Sequence, residues 1–436
     1  VKGFRPLLAT ALLSRTGLMM ATVAFVLFAL QRYHSATIAG LTVFLLVFPG
    51  LALSPINGAL LDRFGRTRMM AVDLTITAAS VLLIAALAVL NALSGAALLA
   101  IVSVASLTGT LSSGGMRALV PLVVPKPLWE RANAVDVMSY GVAAILGPAL
   151  AGALTQWAGG PGALVVVAAL YLVAAAPLAR VPDPRVRLSR SASVLRDARD
   201  GIRYVVRNRS LRWLALVMFV MNAGWGIVTV ALPLAVFARG GGAGVVGAIL
   251  GLEGLVGVPA AILGGRLDTR GRERVIVSSC MVAVGAATLV LLAPSLVSLY
   301  LGLAVIGAAN GPLNIVVFAL RQRRTAPAWF GRVFAISISL NYAGMPIGAA
   351  LAGALGGRSL TAALLVAALL PLVSAVLVWN IPRSELPEDA TPGAGADDGP
   401  VELAARRAPV AAGAVGQSLA EASTSSPEPG ATRGRT

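Results

Sequence analysis

Charge is what this chain has least of. Charged residues make up 12% of its 436 positions, while 57% are hydrophobic and the mean hydropathy is +0.85. A soluble domain carries about 25% charge, so a water-covered surface is excluded and the chain belongs in lipid. Cysteine and histidine are nearly missing as well. Cys280 stands alone, which excludes a disulfide within the chain. His34 stands alone, which leaves a histidine-based zinc site without ligands, and no metal is expected. There is no Walker sequence and no nucleophile–base–acid constellation, so neither ATP use nor enzymatic chemistry is indicated and no cofactor is expected. Acidic residues number 18 against 35 basic ones, for a net charge of +17. The arginines lie between apolar stretches rather than on one face, so nucleic acid is not a predicted partner.

What the chain has in quantity is long apolar runs. A membrane helix needs roughly 20 apolar residues, and twelve such runs lie near 6–30, 36–60, 69–91, 95–116, 133–157, 162–180, 213–237, 243–264, 275–296, 298–320, 333–356 and 359–381. The first continues well past the 7–15 apolar residues of a signal peptide and reads as a retained span. Between runs two and three stands a short basic hinge, Gly58-Ala-Leu-Leu-Asp62-Arg63-Phe-Gly65-Arg66-Thr-Arg68. It returns as Gly264-Gly-Arg-Leu-Asp268-Thr-Arg-Gly271-Arg272-Glu-Arg274, at an offset of 206. Gly147-Pro148-Ala-Leu-Ala-Gly152-Ala-Leu likewise returns as Gly348-Ala-Ala-Leu-Ala-Gly353-Ala-Leu, at an offset of 201. Two matched segments mean a duplicated chain. The predicted fold is an all-α membrane bundle of twelve helices in two six-helix repeats, 1–180 and 213–383, as a rocking transporter requires.

Orientation follows from the basic residues. With both hinges on one side, that side holds 27 Lys and Arg against 3 on the other, so both termini are predicted cytoplasmic. The loop 181–212 reads as a short amphipathic helix at the headgroups, with Ile202, Val205 and Val206 beside Arg203 and Arg207, or equally as a solvated linker. Residues 384–436 hold 8 of the 18 acidic residues among Pro, Gly, Ala, Ser and Thr, a composition predicted to be disordered.

The hinge Gly58…Asp62-Arg63…Gly65-Arg66…Arg68 resembles the signature loop of the major facilitator superfamily, with its weaker copy where that family has one. The resemblance covers roughly 1–383. Pro121…Arg131-Ala-Asn133-Ala and Asp200-Gly-Ile-Arg-Tyr-Val are similar to a bacterial efflux-type branch. There are departures. Thr269 stands in the place of Arg63, the run 95–116 carries no charge, and Ala143 and Ala151 stand where an antiporter motif has glycines. The hinge chemistry makes sense on its own terms. Gly58 is expected to let its helix approach a neighbour closely, and Gly65 to permit a tight turn. Asp62 is expected to accept from a helix N-terminus across the seam between halves, a contact worth about 0.3–2 kcal/mol that makes and breaks as a latch. Arg66 and Arg68 are expected to hold the loop at anionic headgroups, at about 1 kcal/mol each. The alternative is a loop that only sets topology.

A charge inside a span costs about 2.5–3.5 kcal/mol on insertion scales and is a functional candidate by default. Glu253 lies near the middle of 243–264 and is the candidate proton carrier, with a structural, protonated or paired Glu as the alternative. Arg15, nine residues into the first run, is expected to meet an anionic substrate, to pair with Glu253, or to reach back to the headgroups. Asp73 and Asp136 read as gate or ion-pair residues near the inner ends. Asn222, Asn310, Asn341 and Tyr342 are candidate cavity residues or helix-to-helix glue. Gly242-Ala-Gly244-Val-Val-Gly247 fits a dinucleotide pattern but opens a membrane helix, with no strand before it, and is discarded. The expected function is proton-driven export of a small, partly hydrophobic molecule across the inner membrane by a monomer. An uncoupled facilitator or importer, and a non-transporting sensor or scaffold, are the alternatives.

Overall fold

A backbone surrounded by lipid must satisfy its own N–H and C=O groups, which leaves helices as the economical solution for an apolar chain of this kind. The structure, a computed structural model, describes residues 3–183, 194–325 and 330–383. The tail 384–436, expected to be disordered, lies outside the described residues. Among those residues there are helices and no strands. In chain order they are α1 (Phe4–Tyr33), α2 (Ala36–Ala52), α3 (Ser54–Phe64), α4 (Arg66–Val89), α5 (Gly95–Ser106), α6 (Thr110–Val123) and α7 (Trp129–Ala175). They continue with α8 (Val194–Arg207), α9 (Arg209–Ala238), α10 (Ala243–Gly264), α11 (Glu273–Val290), α12 (Leu296–Arg323), α13 (Phe330–Tyr342), α14 (Gly344–Gly356) and α15 (Leu360–Leu377). Ten helical runs among the described residues are long and apolar enough to cross a membrane, or eleven if the pair α2 and α3 counts as one.

Several runs expected to be straight are broken, and the breaks have local causes. Between α2 and α3 the chain bends by 58°. Pro49 lies inside α2 and Pro55 opens α3, and each removes a backbone donor from the helical ladder. The run 95–116 is interrupted between Ser106 and Thr110, and the run 333–356 at Ala343. Helix α7 is 47 residues long, about 70 Å at 1.5 Å per residue, more than twice a hydrocarbon core of about 30 Å. It is not one rod: Gly159 sits at φ 71 and ψ 173, a conformation that only glycine adopts readily.

Serine caps mark one end of the bundle. Ser35, Ser94, Ser295 and Ser359 open α2, α5, α12 and α15 by accepting from backbone N–H groups, each worth about 1 kcal/mol. The two basic hinges lie at the opposite end. Both turn through a glycine at positive φ, Gly65 at φ +94 and Gly271 at φ +72, but the first passes directly from α3 to α4 while the second is a longer turn between Gly264 and Glu273. The α1–α2 and α4–α5 connections are tied at the far end, where Tyr33 Oη donates to the Leu93 carbonyl at 3.1 Å and Arg32 to that of Ala88 at 3.0 Å.

Within the earlier part of the chain α1 and α4 lie along α7, and α2 beside α5. In the later part α9 carries α14 and α15, while α12 packs on α10 and α11. Two broad contacts join these sets, α7 with α10 and α2 with α14. Both are built on glycine. A methyl at Gly152 would lie 2.6 Å from the Gly247 Cα and 2.6 Å from the Ala243 carbonyl oxygen. A methyl at Gly40 would lie 2.9 Å from the Gly353 Cα. Thr37 Oγ1 adds a bond to the Gly353 carbonyl at 3.1 Å. All of these lie toward the far end, away from the hinges.

The segment 194–207 is a helix rather than a linker, but its apolar residues divide. Tyr204 and Val205 are buried with Leu211 and Ala215 against Ile336, while Ile202 and Val206 are exposed. The expectation for Gly58 is corrected: nothing lies within 4 Å of where its Cβ would be, because α3 packs on its neighbours through Asn57 and Leu61 and leaves Gly58 on its open face. Its repeat mate Gly264 makes the close approach instead, with a Cβ there 2.8 Å from the Pro312 Cα. These two environments give a direct test. Gly152→Ala is expected to cost about 1–3 kcal/mol by overpacking and to lower the thermal unfolding midpoint of the purified protein. Gly58→Ala is expected to leave it unchanged.

Candidate functional site

The polar groups within the bundle fall into two sets, one around Arg15 and one around Glu253. On α1, Arg15 is eleven residues from the helix start, about 16 Å along the axis. Its guanidinium meets the Asp136 carboxylate of α7 at 2.8 Å, donates to the Asp136 carbonyl at 2.8 Å and to Ser139 Oγ, and stacks over the Tyr140 ring at 3.7 Å. The side chains are 8% and 22% exposed for Arg15 and Asp136. Arg15 therefore pairs with Asp136 and not with Glu253. An arginine that deep needs its counter-charge within one turn's reach, and Asp136 supplies it. The ring face adds about 0.5–2 kcal/mol. Asp136 is thus the ion-pair residue the sequence suggested. Asp73 is not: its Oδ2 accepts from the backbone N–H and Oγ of Ser112, which ties α4 to α6.

On the other side, Glu253 of α10 receives one hydrogen bond, from Asn310 Nδ2 of α12 at 3.4 Å. It takes part in no ion pair among the described residues. The two helices meet closely there, since a methyl at Gly307 of α12 would overlap the Glu253 carbonyl. Asn341, its amide oriented to satisfy both neighbours, donates to the Ser337 carbonyl at 2.9 Å and accepts from Arg321. Asn222 Nδ2 bonds back to the Met218 carbonyl of its own helix at 2.7 Å. Tyr342 is exposed. Of the four candidate cavity residues, Asn310 is held by Glu253 and Asn341 by its own helix and α12, and Tyr342 alone presents an open face.

The hinge is bonded differently from its sequence reading. Asp62 is 49% exposed and pairs with Arg66, four residues on, at 3.0 Å. The carboxylate that occupies a helix N-terminus is Asp183, whose Oδ2 accepts from both Thr67 N and Thr67 Oγ1 at 3.0 Å. A carboxylate at that position is favoured by the helix dipole. In the second hinge Asp268 accepts from the Arg270 backbone N–H at 3.2 Å, within its own turn. Thr269, in the place of Arg63, accepts from Arg323 at 2.6 Å, and Arg323 also meets Glu273 at 2.9 Å. Arg68 and Arg272 lie on the hinge-end surface with exposed side chains.

The small residues of the second repeat pair sit where helices touch. Gly147 faces α1, with a Cβ 2.5 Å from that of Met19, and Gly348 faces Ala223 of α9. The Pro148 carbonyl meets Gly247 of α10 at the seam. Gly247 belongs to the discarded Gly-rich pattern, whose glycines are now explained: they let α10 and the turn before it lie against α7, with Gly242 and Gly244 beside Gln156. Asp183 and Gly40 are residues the sequence did not single out, and Gly247 was noticed only for the pattern that was discarded.

The site thus combines a buried ion pair between two long helices, small-residue crossings at one end of the bundle and basic hinges at the other. The sequence profile described as Major Facilitator Superfamily matches residues 7–344 and again residues 214–426. The chain belongs to the major facilitator superfamily. It is a multi-pass membrane transporter of that superfamily. It is similar to an MFS-type transporter, y4rN, of Sinorhizobium fredii, 37% identical over 396 residues that cover 90% of this chain and 96% of that one. It is also similar to the multidrug efflux pump Tap of Mycobacterium tuberculosis, 26% identical over 406 residues that cover 85% and 91% of the two chains. Among solved structures the nucleoside transporter NupG has the same fold, with a TM-score of 0.70 at 12% identity over 87% of this chain and 99% of that one. So does a bacterial homologue of the human lysosomal transporter Spinster, inward-facing and occupied, at a TM-score of 0.64 and 12% identity over 86% and 95%.

In this superfamily member the Arg15–Asp136 pair invites a charge-deletion test. Asp136→Ala leaves the guanidinium uncompensated and is expected to destabilise the protein by about 3–5 kcal/mol. The double change Arg15→Met with Asp136→Leu is expected to cost less than Asp136→Ala alone. Thermal unfolding in detergent of the wild type, Arg15→Met, Asp136→Leu and the double variant gives the coupling. Asp183→Ala is expected to cost about 1 kcal/mol by removing the N-terminal partner of α4, measured as earlier hydrogen exchange at Thr67 and Met69.

Proposed function

We propose that the chain is a secondary transporter of the inner membrane that exports a small, partly hydrophobic molecule in exchange for protons. In this reading it crosses the membrane twelve times. Residues 1–180 and 213–383 form two six-helix halves, 181–212 connects them on the cytoplasmic side, and both termini are cytoplasmic. The break at Gly159 makes two crossings of α7, and the pairs α2–α3, α5–α6 and α13–α14 make one each. The basic hinges then face the cytoplasm, as the distribution of arginine favours. The glycine crossings lie at the outer end, so the conformation is closed outside, and export requires them to part. No cofactor is needed beyond the proton gradient, and a single copy suffices.

The observation that carries this reading is Glu253. It is a carboxyl at the middle of a membrane helix, ten residues from the start of α10, with one amide partner and no cation among the described residues. Burial disfavours a charge there, so a proton held on Glu253 and released when water reaches it is the natural coupling step. The multidrug efflux pump Tap supports the direction of export by its likeness. The hinge, Gly58 to Arg68 with its copy at Asp268, Gly271 and Arg272, is the moving joint in this reading, and the open face of Tyr342 lies on the substrate path.

A second reading, uncoupled facilitated passage, draws on the fact that α5 carries no ionisable residue. The two separate in vesicles. Glu253→Gln is expected to abolish the response of substrate flux to an imposed pH gradient while leaving downhill exchange within about twofold, a change under 0.5 kcal/mol. Wild-type flux that ignores the pH gradient would overturn the coupled reading.

A further inference from the structure

Outside the central cluster, the second half contains a cavity that its charge does not explain. It lies at the hinge end among the start of α11, the end of α12 and the turn after α15, and measures about 110 Å³, well above the roughly 10–15 Å³ that one water needs. Arg274, Arg324 and Arg383 line it over an apolar floor of Val277, Leu320 and Ile381. Arg324 is buried, at 5% exposure. Arg209 adds a fourth positive charge to the field at Arg274. The one carboxylate in the lining, Glu273, is already engaged by Arg323 at 2.9 Å. Arg274 donates to the Ile381 carbonyl and Arg324 to the Pro382 carbonyl at 3.3 Å, which aims both side chains at the cavity wall. Arg274 Nε remains buried without a hydrogen-bond partner.

The repeat sharpens the point. Val181-Pro182-Asp183 and Ile381-Pro382-Arg383 lie at an offset of 200. In the first half this segment places the Asp183 carboxylate on the N-terminus of α4. In the second half the equivalent position is an arginine, so among the described residues that segment brings no carboxylate to the start of α11. Three guanidiniums around one hollow, with a helix N-terminus beside them, form a receptor for an anion with several acceptor oxygens. The floor is apolar, and the residues adjoining the lining, Val275 and Trp379, are 55% and 48% exposed. An exposed tryptophan at a helix end marks the membrane interface.

We propose that this cavity binds the phosphate of an anionic phospholipid from the leaflet at the hinge end, such as a phosphatidylglycerol headgroup. Arg274, Arg324 and Arg383 hold the phosphate oxygens, and the acyl chains run down the apolar flank beside Val275 and Trp379. The site rests on the membrane placement of the bundle and on nothing about protons or substrate, so it stands or falls separately from the coupled-export reading.

The test uses the full-length protein, delipidated in a neutral detergent. Phosphatidylglycerol is expected to raise the thermal unfolding midpoint, and native mass spectrometry is expected to retain one copy per protein. Phosphatidylcholine is expected to do neither, and millimolar inorganic phosphate is expected not to reproduce the shift. Arg383→Gln, at an exposed position, is expected to weaken phosphatidylglycerol binding about fivefold, and Arg383→Gln with Arg324→Gln about 30-fold. Arg358→Gln, at the far end, is expected to leave it unchanged. Equal binding by wild type and Arg383→Gln would overturn the site. A shift reproduced by inorganic phosphate would overturn the lipid as its occupant, and one reproduced by phosphatidylcholine would overturn the need for a negative headgroup.

Discussion

The architecture depends on how closely two backbones can approach. At Gly152 against Gly247, and at Gly40 against Gly353, the chain brings helices from its two parts together with no side chain between them. In lipid the hydrophobic effect gives helices no reason to prefer each other over acyl chains, so association comes from close packing and polar contacts. These crossings supply the first, and Thr37 on the Gly353 carbonyl supplies the second. They are also related by the internal repeat. Gly152 and Gly353 stand 201 residues apart, and Gly40 and Gly247 stand 207 apart. One ancestral contact is therefore used twice. A contact made of flat backbone surfaces is easily separated and remade, because no interdigitated side chains must unlock.

The class of fold was legible because it rests on quantities that sum over the whole chain: too little charge for a water surface, runs of the right length, and basic residues gathered on one side. The hinge was legible for another reason. Gly65 and Gly271 both adopt positive φ, and a conformation that only glycine tolerates well leaves a trace in the sequence. The breaks inside spans were harder to read. Proline is common in membrane helices, and Pro49 marks a 58° bend while Pro233 lies within an unbroken α9.

Pairings over long separations were not legible. Arg15 and Asp136 were both recognised as charges in spans, yet they are 121 residues apart, and periodicity does not say which carboxylate an arginine meets. Asp183 gave even less signal. It is one acidic residue at the end of a span, and its partner Thr67 lies 116 residues back. Glycines posed the opposite problem. With 47 in the chain, composition does not distinguish Gly58, which faces open space, from Gly247, which touches another backbone. The difference lies in what stands opposite, and only the tertiary structure supplies that.

The Arg15–Asp136 pair has an electrical consequence. A membrane potential of 100 mV acts on an elementary charge with about 2.3 kcal/mol. Two opposite charges 2.8 Å apart that travel together across the field present it with almost nothing to pull on. Voltage therefore has no grip on the cluster where α1 meets α7, whatever path those helices follow.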